Sequence, residues 1–263
     1  MSTGGELADP YTTYSIEISS SASKKSMGSG FLLQASNSVY VVTARHVLFH
    51  DIGANNWQLN CNEIKVDAFW PEGTNESRVE VIIDLNTVIK AGDLRFSTNH
   101  DIAMVRIEQS DNPTNKAFGV TTLPGVQIPS ATKSLRLVPV EQVEKSYDAS
   151  LVGEEIYIFG YPSSIGFGGY PQFDQTHPLM RKGIIAGLNP PRRTIIIDCP
   201  VYYGNSGGPV VMRKHEGPIN RFIVVGIVIE FIPFQGKANV LDKLNTGYSV
   251  VESSETILSM VWR

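Results

Sequence analysis

The chain has 263 residues, 42% hydrophobic and 18% charged, with a formal net charge of −4. That is the balance of an ordinary soluble globular protein, long enough for one large all-β unit or two small barrels. The acidic balance and the absence of a basic stripe exclude nucleic acid as the expected partner.

Residues 1–10 are polar, with no basic region followed by an apolar one, so a signal peptide is not expected there. Tyr11 to Ile18 reads as a first strand. Met27 to Leu33 and Ser38 to Thr43 read as strands joined at Gln34-Ala35-Ser36-Asn37. In Val39-Tyr40-Val41-Val42-Thr43 β-branched residues dominate, as in a strand buried on both faces. His46 follows at the start of a short helical turn. Trp57 to Phe69 and Val79 to Ile89 are β-rich, separated by the turn residues Pro71-Glu72-Gly73-Thr74-Asn75. Ile102 to Ile107 closes the set, giving about six strands over residues 11–108, enough for one small closed barrel.

Residues 109–150 read as an irregular linker, punctuated by Asn112-Pro113 and Pro124-Gly125. Over residues 151–263 six further strands are expected: Gly153 to Phe159, Gly183 to Leu188, Thr194 to Asp198, Val210 to Arg213, Phe222 to Ile229 and Gly247 to Val251. The segment Ser253 to Trp262 reads as a C-terminal helix, with Glu255 near its positive end and Ile257, Met260 and Val261 on one face. The longest apolar stretch, Phe222 to Phe234, is interrupted by Glu230 and is too short to span a bilayer. No membrane partner is expected, and the expected location is cytoplasmic. The two cysteines, Cys61 and Cys199, fall in different halves, which fits unbridged thiols in a reducing compartment.

The informative stretch is Gly204-Asn205-Ser206-Gly207-Gly208-Pro209. Glycines on both sides of a serine permit a tight turn that aims several N–H groups at one point, which acyl transfer requires. A plain Gly-Ser turn between strands is the bland alternative. Gly204-x-Ser206-x-Gly208 also fits a nucleophile elbow, but that arrangement needs an acid and then a histidine downstream, and a following helix. Only His215 follows, nine residues on, and Pro209-Val210-Val211-Met212 reads as strand. Upstream lie Thr43-Ala44-Arg45-His46-Val47 and Asp101-Ile102-Ala103-Met104-Val105, in the order His, Asp, Ser.

With Gly28-Ser29-Gly30-Phe31 these motifs occur in order over nearly the whole chain, and the sequence resembles a trypsin-like (chymotrypsin-fold) serine protease. Its details are most similar to the HtrA/Deg-type bacterial branch, whose members usually continue into a PDZ domain; none is expected here. The resemblance implies an all-β fold of two six-stranded antiparallel β-barrels with a C-terminal helix. It also implies a triad with His46 as general base, Asp101 as its orienting acid and Ser206 as nucleophile. His100, beside Asp101, is expected to point away. The oxyanion hole is expected from the N–H groups of Gly204 and Ser206, with Asn205 nearby. The primary pocket is expected between Pro200, Val201, Tyr202 and Tyr203 on one side and Ile229, Glu230 and Phe231 on the other, with Thr246 and Gly247 behind. These are mostly apolar, so a buried cation would stay unpaired, and an apolar residue is expected before the cut. Glu230 is the exception.

Trypsins carry Asp at the position of Asn205, where it pairs with a newly cut N-terminus. Neutral Asn cannot, so zymogen cleavage is not expected. The glycine-rich loop 160–183 is a candidate gate beside the oxyanion hole. Protein or peptide substrate and a regulatory protein partner are expected. No metal is expected, since His46, His50 and Asp51 lack a ligand pattern and His46 is already assigned. No cofactor is expected either. A buried, inert Cys199 is expected, and a non-catalytic binding module of the same fold is the rival reading.

Overall fold

The computed structural model describes residues 14–23, 25–54, 56–72, 75–110, 123–129, 135–163, 172, 174, 176–216, 219–234 and 245–261. In chain order the first half holds β1 (Ile16–Ser20), β2 (Ser26–Ala35), β3 (Ser38–Thr43), α1 (Arg45–Leu48), β4 (Phe49–Gly53), β5 (Asn56–Leu59), β6 (Glu63–Glu72), β7 (Asn75–Asp84), α2 (Leu85–Ala91), β8 (Leu94–Phe96) and β9 (Ala103–Gln109). Short strands β10 (Val126–Gln127) and β11 (Val138–Pro139) follow. The second half holds β12 (Glu155–Gly160), β13 (Leu179–Asn189), β14 (Thr194–Asp198), β15 (Pro209–Glu216), β16 (Ile219–Pro233), β17 (Asn245–Ser253) and α3 (Ser254–Met260).

Every residue of β3 is buried, as its uninterrupted β-branched and aromatic run requires. It pairs antiparallel with β2 on one edge and β9 on the other. The sheet runs β10-β7-β6-β1-β2-β3-β9-β8, with β11 added parallel to β2. It curls into a half-barrel among the described residues. β12-β13-β14-β17-β16-β15 close into a six-stranded barrel. With α3 at the end, this is the all-β, chymotrypsin-like architecture expected from the motifs.

Two stretches differ from the reading. Trp57 to Phe69 is not one strand: β5 belongs to a separate hairpin with β4, and Asn60-Cys61-Asn62 breaks the run before β6. The end of Val79 to Ile89 is helix α2. Asp84 caps it, accepting from the N–H groups of Asn86 and Thr87, and Gly92 ends it in the left-handed region at φ +78°. An N-cap Asp and a following Gly are helix signals that outweighed the β-branched Thr87, Val88 and Ile89.

The larger core is shared by both halves. Phe31, Val41 and Met104 of the first sheet pack in one cluster with Tyr157, Phe159, Val211 and Ile227 of the barrel and Ile257 of α3. A second cluster, including Ile156, Ile185, Ile197 and Val251, fills the barrel interior. Among the described residues, no helix is long and apolar enough to cross a membrane.

Candidate active site

β3 and β9 are paired to their ends, with Thr43 opposite Ala103. The chain leaving β3 and the chain entering β9 are therefore neighbours. α1 turns His46 toward that junction, and Asp101 stands two residues before β9. His46 Nδ1 lies 2.6 Å from Asp101 Oδ2, and the His46 backbone N–H donates to Asp101 Oδ1 at 3.0 Å. Burial works to raise the Asp101 carboxyl. The hydrogen bonds from His46 and the charges of His46 and Arg45 outweigh it, and the carboxyl ends below its usual value.

The Ser206 turn is built between the two halves. Ser29, fully buried in β2, donates from its backbone N–H to Ser206 O at 2.8 Å and from its hydroxyl to Gly204 O at 2.6 Å. The same hydroxyl accepts from Tyr161 N–H at 2.9 Å, and Ser29 O accepts from the Thr43 hydroxyl at 2.7 Å. Gly207 N–H donates to Val228 O at 2.7 Å, and Val228 N–H donates to Gly208 O at 2.9 Å. Gly204 and Gly207 have φ of +95° and +83°, the left-handed region that favours glycine. A Cβ on Gly204 would lie 2.2 Å from Tyr161 O.

The N–H groups of Gly204 and Ser206 donate to no partner among the described residues. Asn205 differs from the expectation for the oxyanion hole. Its N–H donates to Tyr202 O at 2.9 Å, and its side-chain oxygen accepts from Tyr202 N–H at 3.0 Å. At 2% exposure, Asn205 ties the turn to the preceding loop.

His46 and Ser206 open on one cavity of about 500 Å³. Val201, Tyr202, Ile229, Glu230 and Phe231 line it. Pro200 does not: its carbonyl accepts from Arg181 at 3.4 Å, and the Arg181 guanidinium stacks 4.3 Å over Tyr202. Thr246 and Gly247 do not line it either; the Thr246 hydroxyl donates to Ile232 O at 2.7 Å. Lys25, just before β2, and Met27, near its start, add a wall that the sequence did not point to. The centre of the expected gate, residues 164–171, lies outside the described residues.

Two further residues escaped the reading. Arg45 donates to the carbonyls of Ser97 and His100, the latter at 3.0 Å, and its guanidinium sits 3.7 Å over the Trp57 ring. Glu252, at the end of β17, meets the His100 ring and the Asp101 N–H. Arg45 was legible only as the variable position before His46. Glu252 is 151 residues from Asp101, and no local pattern joins them. His50 faces Asn60 at 2.9 Å, and no metal-holding cluster occurs among the described residues. The two cysteines are free. Burial pushes the Cys199 thiol up to about 11, so it is protonated and inert at neutral pH.

The fold and this junction define the class: a chymotrypsin-like fold with a His-Asp pair and a glycine-rich serine turn on one cavity. Residues 28–219 match the trypsin-like peptidase domain, and the chain belongs to that family. Its backbone is similar to a serine endoprotease from Yersinia pestis, with 14% identity and a TM-score of 0.51. That match covers 98% of this chain but 65% of the Yersinia protein, so this chain spans about two thirds of its length. A thermostable serine protease, AL20, from an extremophilic microorganism matches at 18% identity and a TM-score of 0.51, over 96% of this chain and 100% of that one. Human heparin binding protein matches at 11% identity and a TM-score of 0.51, over 95% and 91%. At these identities the likenesses show the fold alone. No curated protein matches the sequence.

Proposed function

We propose that the chain is a serine endopeptidase that acts through an acyl-enzyme, with residues 11–108 and 151–263 as its two barrel units joined by 109–150. The observation that carries this reading is the 2.6 Å His46–Asp101 contact on the cavity that also holds Ser206. Ser206 Oγ attacks the substrate carbonyl carbon as His46 Nε2 takes its proton. Asp101 holds the opposite ring nitrogen and balances the charge that forms on the imidazole. The carbonyl oxygen, now negative, is met by the N–H groups of Gly204 and Ser206. His46 then gives its proton to the leaving amine, and water repeats the sequence to release the acid.

The substrate is a protein or peptide with an apolar residue before the cut. Val201, Tyr202, Ile229 and Phe231 supply the apolar walls, while Glu230 is exposed. A peptide library should show apolar preference; strong cleavage after Arg would contradict it. Within the family we place the chain nearest the HtrA-type branch, in a reducing cytoplasmic setting that fits its two free thiols. Asn205, neutral and bonded to Tyr202, supports activity without zymogen cleavage, and control then falls to a partner or ligand. Mass spectrometry of active protein should find no required N-terminal cut.

The direct test is hydrolysis of a chromogenic ester. A burst of leaving group matching the enzyme concentration is expected, and Ser206→Ala should abolish it. Undiminished turnover by Ser206→Ala would contradict the assignment.

A further inference from the structure

The segment between β8 and β9 carries Asp101, and it is gripped from two sides. Within the first half, Arg45 donates to the carbonyls of Ser97 and His100. The second grip comes from the barrel. Glu252, 2% exposed, takes His100 Nδ1 at 2.8 Å on one carboxylate oxygen and the Asp101 N–H at 3.2 Å on the other. The Thr256 hydroxyl, in α3, donates to the first oxygen at 3.2 Å. Arg95 reaches from β8 to Met260 O at the far end of α3, 3.4 Å away.

A carboxylate this buried is costly unless its lone pairs are used. Three of Glu252's contacts use them, and two of those go to the residue bearing the candidate acid and its immediate neighbour. Without Glu252, Asp101 N–H and the His100 ring lose their anchor in the barrel. The barrel also carries Ser206. Glu252 therefore spans the junction across which the three candidate residues must align.

We propose that Glu252 is a positioning residue: through Asp101 N–H and the His100 ring it fixes the Asp101 carboxylate beneath His46, and so registers the His-Asp pair of the first half against Ser206 of the second. The inference rests on Asp101 being the orienting acid of the peptidase reading. Glu252 touches no substrate, so its loss should act on turnover, with binding preserved.

The experiment uses the full chain with Glu252→Met, which keeps the buried volume, and Glu252→Gln, which keeps an oxygen for the Asp101 N–H. Glu252→Asp, one methylene short of reach, takes the place of Glu252→Met if that variant does not fold. Two readouts are taken: kcat and KM per titrated active site, and the low-field NMR signal of the His46 Nδ1 proton. In Glu252→Met, kcat should fall about ten- to hundredfold, as displacements near 1 Å do, with KM within about twofold. The proton signal should shift or vanish, and Glu252→Gln should recover most of both. A folded Glu252→Met with wild-type kcat and an unmoved proton signal would overturn the proposal. Where wild type itself hydrolyses nothing, the peptidase reading fails separately, and the proton signal alone decides whether Glu252 holds Asp101.

Discussion

Gly204 shows how much one residue can carry. Its φ of +95° disfavours any side chain, and the site has no room for one: an added Cβ would meet Tyr161 O at 2.2 Å and Ser163 N at 2.6 Å. Gly204→Val should therefore displace the N–H proposed to meet the oxyanion and lower kcat by about a hundredfold or more. Steady-state kinetics on folded variant protein checks this, and unaltered turnover would remove Gly204 from the site. Asp101 makes a pH prediction. Its folded carboxyl lies below the usual value, near about 3.9 when unfolded. The stability it contributes is complete above the unfolded value and is lost as pH falls through the lower folded one. Urea unfolding between neutral and strongly acid pH should show Asp101→Asn losing less stability over that window than wild type. An identical acid limb in both would contradict the pairing.

At the scale of elements, buried strands were the most legible. The run Val39-Tyr40-Val41-Val42 has no polar face and became β3, buried at every position, and Thr194–Asp198 became β14 with the expected ends. Helix α2 was not legible, because three β-branched residues in a row pull toward strand while the decision rests with its ends, Asp84 and Gly92. Gly92 holds φ +78° with nothing within 4 Å of an added Cβ, so Gly92→Ala is a test of backbone conformation alone. It should cost about 1 kcal/mol in urea unfolding, the left-handed penalty for an L residue; no cost would mean the cap relaxes. The candidate site divides in the same way. His46, Asp101 and Ser206 sit in short local motifs, so the sequence could put them forward as candidates. Ser29 stood inside a motif, but its hydroxyl bridge from Tyr161 N–H to Gly204 O needs partners more than a hundred residues away. Pro200 looked like pocket wall by position, yet Arg181 and Tyr202 occupy its surroundings. Long-range hydrogen bonds of this kind carry no periodicity to read.

Across the whole molecule, the larger core is shared by the two sheets, while a second cluster lies within the barrel alone. Tyr157, Phe159 and Val211 of the barrel pack in the same cluster as Phe31, Val41 and Met104 of the first sheet. Ser29 and Glu252 add polar ties across the same seam. Unfolding should consequently be one cooperative transition, with far-UV circular dichroism and tryptophan fluorescence coinciding. Two separated transitions would mean that the halves are independent. A shared core also explains how residues from both halves can be held in register for chemistry. In the proposed peptidase this register leaves Ser206 nucleophilic. The most direct test is covalent labelling with a fluorophosphonate probe, located by peptide mass spectrometry, in wild type, Ser206→Ala and His46→Ala. A single adduct on Ser206 is expected in wild type and none in either variant. Labelling at another residue, or undiminished labelling of His46→Ala, would contradict it.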